Sequence, residues 1–389
     1  MSKARELADF VAAGNPLADG SITFDEIADG NLTITSGTIK LDGNYPVGTN
    51  NVALGDESLR DLTTGGNNTA LGRASLTNIE DGSHNTGVGQ NSVTLTTSGS
   101  YNTGVGSGAL QNNTTASNNT AVGYQSLYTI TTSSENTALG YQAGYSATNI
   151  EATYVGYRAG YGVTTAASGV AVGRLALGGN SAGVTGGKNV AVGNAAMYVV
   201  TSGADNVAVG ALSLFDNTTG SYNVALGGDA LQNNTTANYN TAMGRQAAFS
   251  NTTGEQNLAL GGLAFYTNST GSYNVALGME SLYSNTTAGN NTAVGFRAGY
   301  SNTTGDGNTF LGRQSAYSNT TGYSLVAVGN AALYGNTTGL NNVAIGQQAL
   351  QANTTASQNT AVGYQAGYNS VTSNNNIKRK HSFRLSSWI

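Results

Sequence analysis

The chain has 389 residues, of which 9% are charged and 55 are glycine, with 2 prolines, 2 histidines and no cysteine. That composition excludes a collagen-like or Pro-rich chain, a disulfide scaffold and a cysteine metal site, and His84 and His381 leave little for imidazole chemistry. A net charge of −5 argues against nucleic acid as a partner, and no run of about 18 apolar residues exists to insert in a membrane.

Residues 1–45 hold seven acids and three bases. Leu7, Phe10 and Val11 at helical spacing predict a short amphipathic helix over Arg5 to Ala13. With Phe24 and Ile27 they are the apolar anchors by which this segment would attach to another protein. The stretch from Phe10 to Ala13 is far too short for the apolar core of a secretion signal. Asn15, Asp19, Gly20, Ile22 and Glu26 fall at positions 1, 5, 6, 8 and 12 of an EF-hand loop. Leu17 at the third position brings no side-chain oxygen, and Pro16 stands beside it. The plainer reading is a helix, a glycine turn and a second short helix around Thr23 to Ile27. No metal and no cofactor are expected.

Residues 46–373 are a repeat array. A glycine recurs at 55, 72, 89, 106, 123, 140, 156, 173, 193, 210, 227, 244, 261, 278, 295, 312, 329, 346 and 363. These are 19 copies, with 16 intervals of 17 residues, one of 16 and one of 20. Positions are numbered here from that glycine. Position −1 is Val, Leu, Ile or Met in all 19 copies, −2 is Ala in 15, and −4 is Asn in 16. Position −3 is Thr or Val except at Leu258, and +3 is Ala or Ser throughout. The remainder often reads Asn-Thr-Thr, a turn composition.

Alternation of this kind predicts a short β-strand with two apolar faces. A 17-residue unit has no room for a crossover helix, so the fold class is all-β: a β-solenoid or β-roll with two short strands and two bends per coil. The large residues at −1 and −3 are expected to fill the interior, leaving the Ala/Gly face outside for close packing against other copies. Three copies about a parallel axis would bury that face. At about 4.8 Å per coil, 19 coils would make a rod of roughly 90 Å. The Asn column is expected to stack as a hydrogen-bonded ladder that holds bends and takes no ligand.

Position +5 is Tyr or Phe in 12 of 19 copies, among them Tyr128, Tyr145, Tyr161, Tyr283, Tyr300, Tyr317 and Tyr334. Such a row either packs ring on ring or offers a platform for glycans. Triplets such as Asn217-Thr218-Thr219 match the N-glycosylation sequon, but turn formation is the plainer role. Asp81, Ser83 and His84 sit in a single turn, an arrangement unsuited to nucleophilic catalysis, and the glycines follow the architecture, so no enzyme is expected. Residues 374–389 form a basic tail with Lys378, Arg379, Lys380, His381, Arg384 and the lone Trp388.

Units such as Asn291 to Tyr300, repeated at Asn359 to Tyr368, are similar to repeats of bacteriophage tail-fibre and related virion appendage proteins. The opening, Met1 to Asp9, resembles the start of some phage virion structural proteins. A more distant likeness is to the β-roll heads of trimeric autotransporter adhesins. The resemblance implies a homotrimeric rod, made in the host cytoplasm and carried on the virion. Its N-terminal segment would bind another virion protein, and the rod would support attachment to a host-surface glycan or protein. Two other readings are a bacterial surface adhesin and an ice-binding solenoid. Against the latter, the Thr column at −3 is interrupted by Val at eight positions, from Val52 to Val343.

Overall fold

The structure is a computed structural model that describes residues 48–148, 151–165, 169–178 and 183–379. The N-terminal anchors Leu7, Phe10, Val11, Phe24 and Ile27, the EF-hand-like loop and residues 380–389 lie outside it. The described residues form a parallel β-solenoid of about 19 turns, without a helix. Twenty three-residue strands begin with β1 (Val52–Leu54) and β2 (Thr69–Leu71). They include β7 (Thr153–Val155), β14 (Val275–Leu277) and β15 (Thr292–Val294), and end with β19 (Thr360–Val362) and β20 (Ile377–Arg379). Each strand pairs in parallel with that of the next coil, repeat position on repeat position: Val275 on Thr292, Ala276 on Ala293, Leu277 on Val294. The sheet therefore continues past the last repeat glycine, into the stretch that composition marks as a basic tail.

Two expectations are corrected. Each coil holds one short strand, not two; the rest of the 17 residues are turns and bends. The strand faces are also reversed. The central residue at −2 points inward and is fully buried, as at Ala276, whereas its neighbours Val275 and Leu277 point outward and are half-buried. The reason lies across the coil. Position +4 carries a second apolar column, with Leu76, Leu110, Leu127, Leu214, Leu231, Leu282 and Leu333 fully buried. The gap between sheet and far wall takes one small and one large side chain, and the large one comes from the turn.

Exceptions prove the dimension. Where Tyr154 replaces Ala at −2, position +4 is glycine in its own coil and in the one before. A Cβ on Gly144 would lie 2.6 Å from a Tyr154 ring carbon, and one on Gly160 would overlap the ring outright. Phe310 is accommodated likewise by Gly299.

The repeat glycine is required by its backbone. Gly278 has φ +130°, and a Cβ there would meet the Gly295 carbonyl oxygen of the next coil at 2.6 Å. The residues after it pay no such sterics but are still strained: Glu280 (φ 57°) and Leu282 (φ 46°) are left-handed, as are their counterparts in most coils. Axial hydrogen bonds hold them there, for example Leu282 N–H to Ala298 O at 3.0 Å.

Two buried amide ladders supply further axial bonds. At −4, the Asn68 backbone N–H donates to Asn51 Oδ1 (2.8 Å), and Asn68 Nδ2 donates to Gly82 O (2.9 Å). At +7, nine asparagines run from Asn217 to Asn353, and the eight from Asn234 on each donate Nδ2 to the Oδ1 before, as Asn268 does to Asn251 at 2.7 Å. Their amides are buried and bonded, so the Asn-Thr-Thr triplets have a structural role. Replacing Asn268 by Ala would leave Asn251 Oδ1 and Asn285 Nδ2 short of partners. The expected cost is about 1–3 kcal/mol, read as a lower thermal midpoint, with Thr287→Ala on the exposed turn as a near-neutral control. Gly278→Ala should cost at least as much, because strain adds to overlap.

Candidate functional site

Two surfaces depart from a uniformly polar exterior. The first is the outward face of the sheet, made by the columns at −3 and −1. Over β1 to β19 these columns hold only Thr, Val, Leu, Ile and Met, with no charge. Several are well exposed: Leu54 is 59% accessible, Leu139 50% and Met243 41%. A face that carries no charge over this length, with exposed Leu and Met along it, is unusual for an isolated soluble chain. Within it, Thr69, Thr86, Thr103, Thr120, Thr137 and Thr153 occupy six successive rungs of the −3 column.

The second surface lies along the turn after the repeat glycine. The tyrosines at +5 do come together. Tyr128, Tyr145 and Tyr161 stack at 5.1 and 5.2 Å, with rings within 15° of parallel. Tyr283, Tyr300, Tyr317 and Tyr334 continue a row that begins with Phe249 and Tyr266, at 5.0–5.2 Å between centroids. Inside each row a ring has neighbours on both faces, so solvent meets ring edges. Burial pushes the Tyr145 and Tyr300 phenols above their ordinary value, and neighbouring phenols add to the effect. Burial does the same, more strongly, to Tyr154 in the interior.

Beside the first row runs a column at +1, Tyr124, Tyr141 and Tyr157, stacked at 5.3 Å and largely exposed. Between the two rows, Gln142 Nε2 donates to Gln125 Oε1 and Arg158 Nε donates to Gln142 Oε1, both at 2.9 Å. The Arg158 guanidinium lies 4.8 Å from the Tyr161 ring and 5.6 Å from Tyr157, and Arg174 lies 5.9 Å from Tyr157. No carboxylate among the described residues pairs with Arg158 or Arg174. Arg297 differs: it makes a similar approach to Phe296 and Tyr300, but its charge is met by Glu280. The +1 column is visible in sequence as Tyr in three successive copies followed by Arg174, with Arg158 at +2; that both guanidiniums lie over the rings shows only in the fold.

Among the described residues there is no group of three His, Cys, Asp or Glu side chains placed to hold a metal ion, and no helix long and apolar enough to cross a membrane. Compared with known proteins, the chain matches no family model and no curated protein.

The raised tyrosines make stability depend on alkaline pH. A phenol whose folded pKa is raised keeps its proton after the unfolded chain has lost it. Its contribution is thus complete below the ordinary tyrosine value near 10 and is lost as pH rises past it. Thermal midpoints should fall from about pH 10 upward, and Tyr300→Phe should reduce that fall. A midpoint independent of pH across this range would contradict the burial assigned to these rings.

Proposed function

We propose that the chain is a structural fibre protein of a bacteriophage particle. Its solenoid forms the shaft of a parallel homotrimer, and residues 1–45 attach it to another virion protein. The observation that carries this reading is the charge-free outward face. Each coil presents the same two columns, so two copies running in the same direction meet like rung on like rung. With about 4.8 Å per rung and about 7 Å between the columns, the face measures roughly 600 Å² in projection, and its flanking columns about double that. A pair of copies would then bury more than about 1,000 Å², enough for a stable interface. Three narrow rolls with one flat face each close into a prism. The repeat's likeness to phage appendage repeats supplies the setting. The sequence reasoning placed Ala and Gly at this interface; the outward Thr, Val and Leu side chains take their place.

Light scattering on the purified chain should give the mass of three copies. Leu226→Glu with Val192→Glu puts charges on the outward face of two coils either side of Val209, where the single chain has room for them. It is expected to give a folded monomer, with unchanged circular dichroism. A wild-type monomer would overturn the trimer.

Contact with the host belongs on the side surface, at Arg158 and Arg174 over the tyrosine rows. Guanidiniums that lie over tyrosine rings beside glutamine amides, with no carboxylate partner among the described residues, suit a carboxylate-bearing glycan. A uronic-acid oligosaccharide should bind, a neutral oligosaccharide of equal length should not, and Arg158→Gln with Arg174→Gln should weaken binding at least tenfold. Equal binding by the double variant would remove the site.

Six outward Thr residues on successive rungs favour ice binding as a second reading. Thermal hysteresis in solution, abolished by Thr103→Lys, would move the function there.

A further inference from the structure

The two ends of the sheet are unlike. At β1 the strand reads Val-Ala-Leu, the same pattern as the body of the array. At β20 it reads Ile-Lys-Arg, with Lys378 in register with Ala361 and Arg379 with Val362. In every earlier strand the central, inward position is Ala, Gly, Tyr154 or Phe310. Lys378 is the one charged residue in that column, and Arg379 the one in the outward column at −1. Both sit on the last strand, whose far side meets no other strand among the described residues.

An unpaired strand edge is a template for addition of another chain. Here the natural addition is a second copy, because β1 carries the pattern that follows β19 everywhere else in the array. The coil interior takes a small or aromatic side chain opposite the +4 column. The Lys378 stem lies close to Gly367, the +4 residue of the preceding coil: a Cβ on Gly367 would be 3.4 Å from Lys378 Cγ. The strand itself remains exposed, with Ile377 75% accessible. Covering it with another coil would shut the ammonium into an apolar channel lined by alanine, with no carboxylate to meet it. Arg379 would meanwhile interrupt the outward face.

We infer that Lys378 and Arg379 are an axial stop, which refuses head-to-tail addition of a second copy through its β1. The stop is independent of how many copies lie side by side, since it acts along the coil axis. Lateral assembly changes mass per unit length; axial addition changes length.

The test uses the full chain with Lys378→Ala and Arg379→Val together, and Lys378→Arg with Arg379→Lys as the charge-preserving control. Wild type and control are expected to show one rod length by negative-stain electron microscopy and a mass that does not change with concentration. The double variant is expected to form longer rods that grow with concentration, in steps of about 95 Å set by the spacings of its 20 strands, with β-sheet circular dichroism retained. Rods of unchanged length would overturn the inference, as would amorphous precipitate with lost circular dichroism. Growth by the control would overturn it too, because the charge would then not be the barrier.

Discussion

Every residue in this solenoid must tolerate a near-copy of itself one rung away. Parallel strands set that spacing at about 4.8 Å, and the chain's composition follows from it. Side chains that gain from stacking at this distance occur in columns: amides that donate to the next amide, rings at 5.0–5.3 Å, hydroxyls such as Thr303 that donate to the Thr320 carbonyl at 2.9 Å. Like charges lose at this distance, and charged residues are few. Opposite charges do share a column on adjacent rungs, as with Arg73 over Asp56 and Arg297 over Glu280, and Glu135 and Glu151 at −5 are a like-charged exception. The low charge content is therefore a consequence of the axial repeat.

The same constraint explains how a coil with so little strand holds together. Only three of about 17 residues per turn are extended, and two or three more sit in the left-handed region that side chains normally avoid. Each such residue carries a local cost of order 1 kcal/mol. What offsets it is axial bonding by the turns themselves, which hydrogen-bond coil to coil much as strands do. The buried asparagines complete this scheme where the backbone bends away from strand geometry. Their amides bond the carbonyls that the bends would otherwise leave dry, as Asn274 Nδ2 does with Ala288 O at 2.9 Å.

The repeat, its solenoid class and the asparagine ladder were legible in sequence, because each is a statement about spacing and hydrogen-bonding capacity. Which strand face is inside was not. Alternation of Val-Ala-Leu defines two apolar faces but does not rank them, and side-chain size suggested the wrong one. The deciding column is Leu at +4, which was present in the sequence but hidden in what reads as a turn; no propensity scale places Leu in a left-handed conformation. The pairing of Tyr154 with Gly144 and Gly160 carries the same information, although only the fold shows that those positions touch. The tyrosine rows were found at +5 and missed at +1. The Arg158–Gln142–Gln125 ladder needed the register between coils.

A repeating rod can carry a unique site only where its repeat fails. The 16- and 20-residue intervals fall at Gly140–Gly156 and Gly173–Gly193, and the amide column at −4 lapses in the coils they bracket. Position −4 becomes Ala152 and then Gly169, while +7, a continuous Asn column only from Asn217 on, holds Ala147 and Val163, the latter bridged to Val184. Tyr154 fills the interior of the same stretch. Loss of the −4 ladder and gain of an aromatic plug make these coils an apolar joint between two blocks laddered at −4. Arg158 and Arg174 lie on the surface of that joint, at the end of the paired tyrosine rows. Elsewhere a ligand would meet nearly the same surface on every rung and slide along it. Here the register breaks, the guanidiniums have no carboxylate partner among the described residues, and a bound group would have one place to stop.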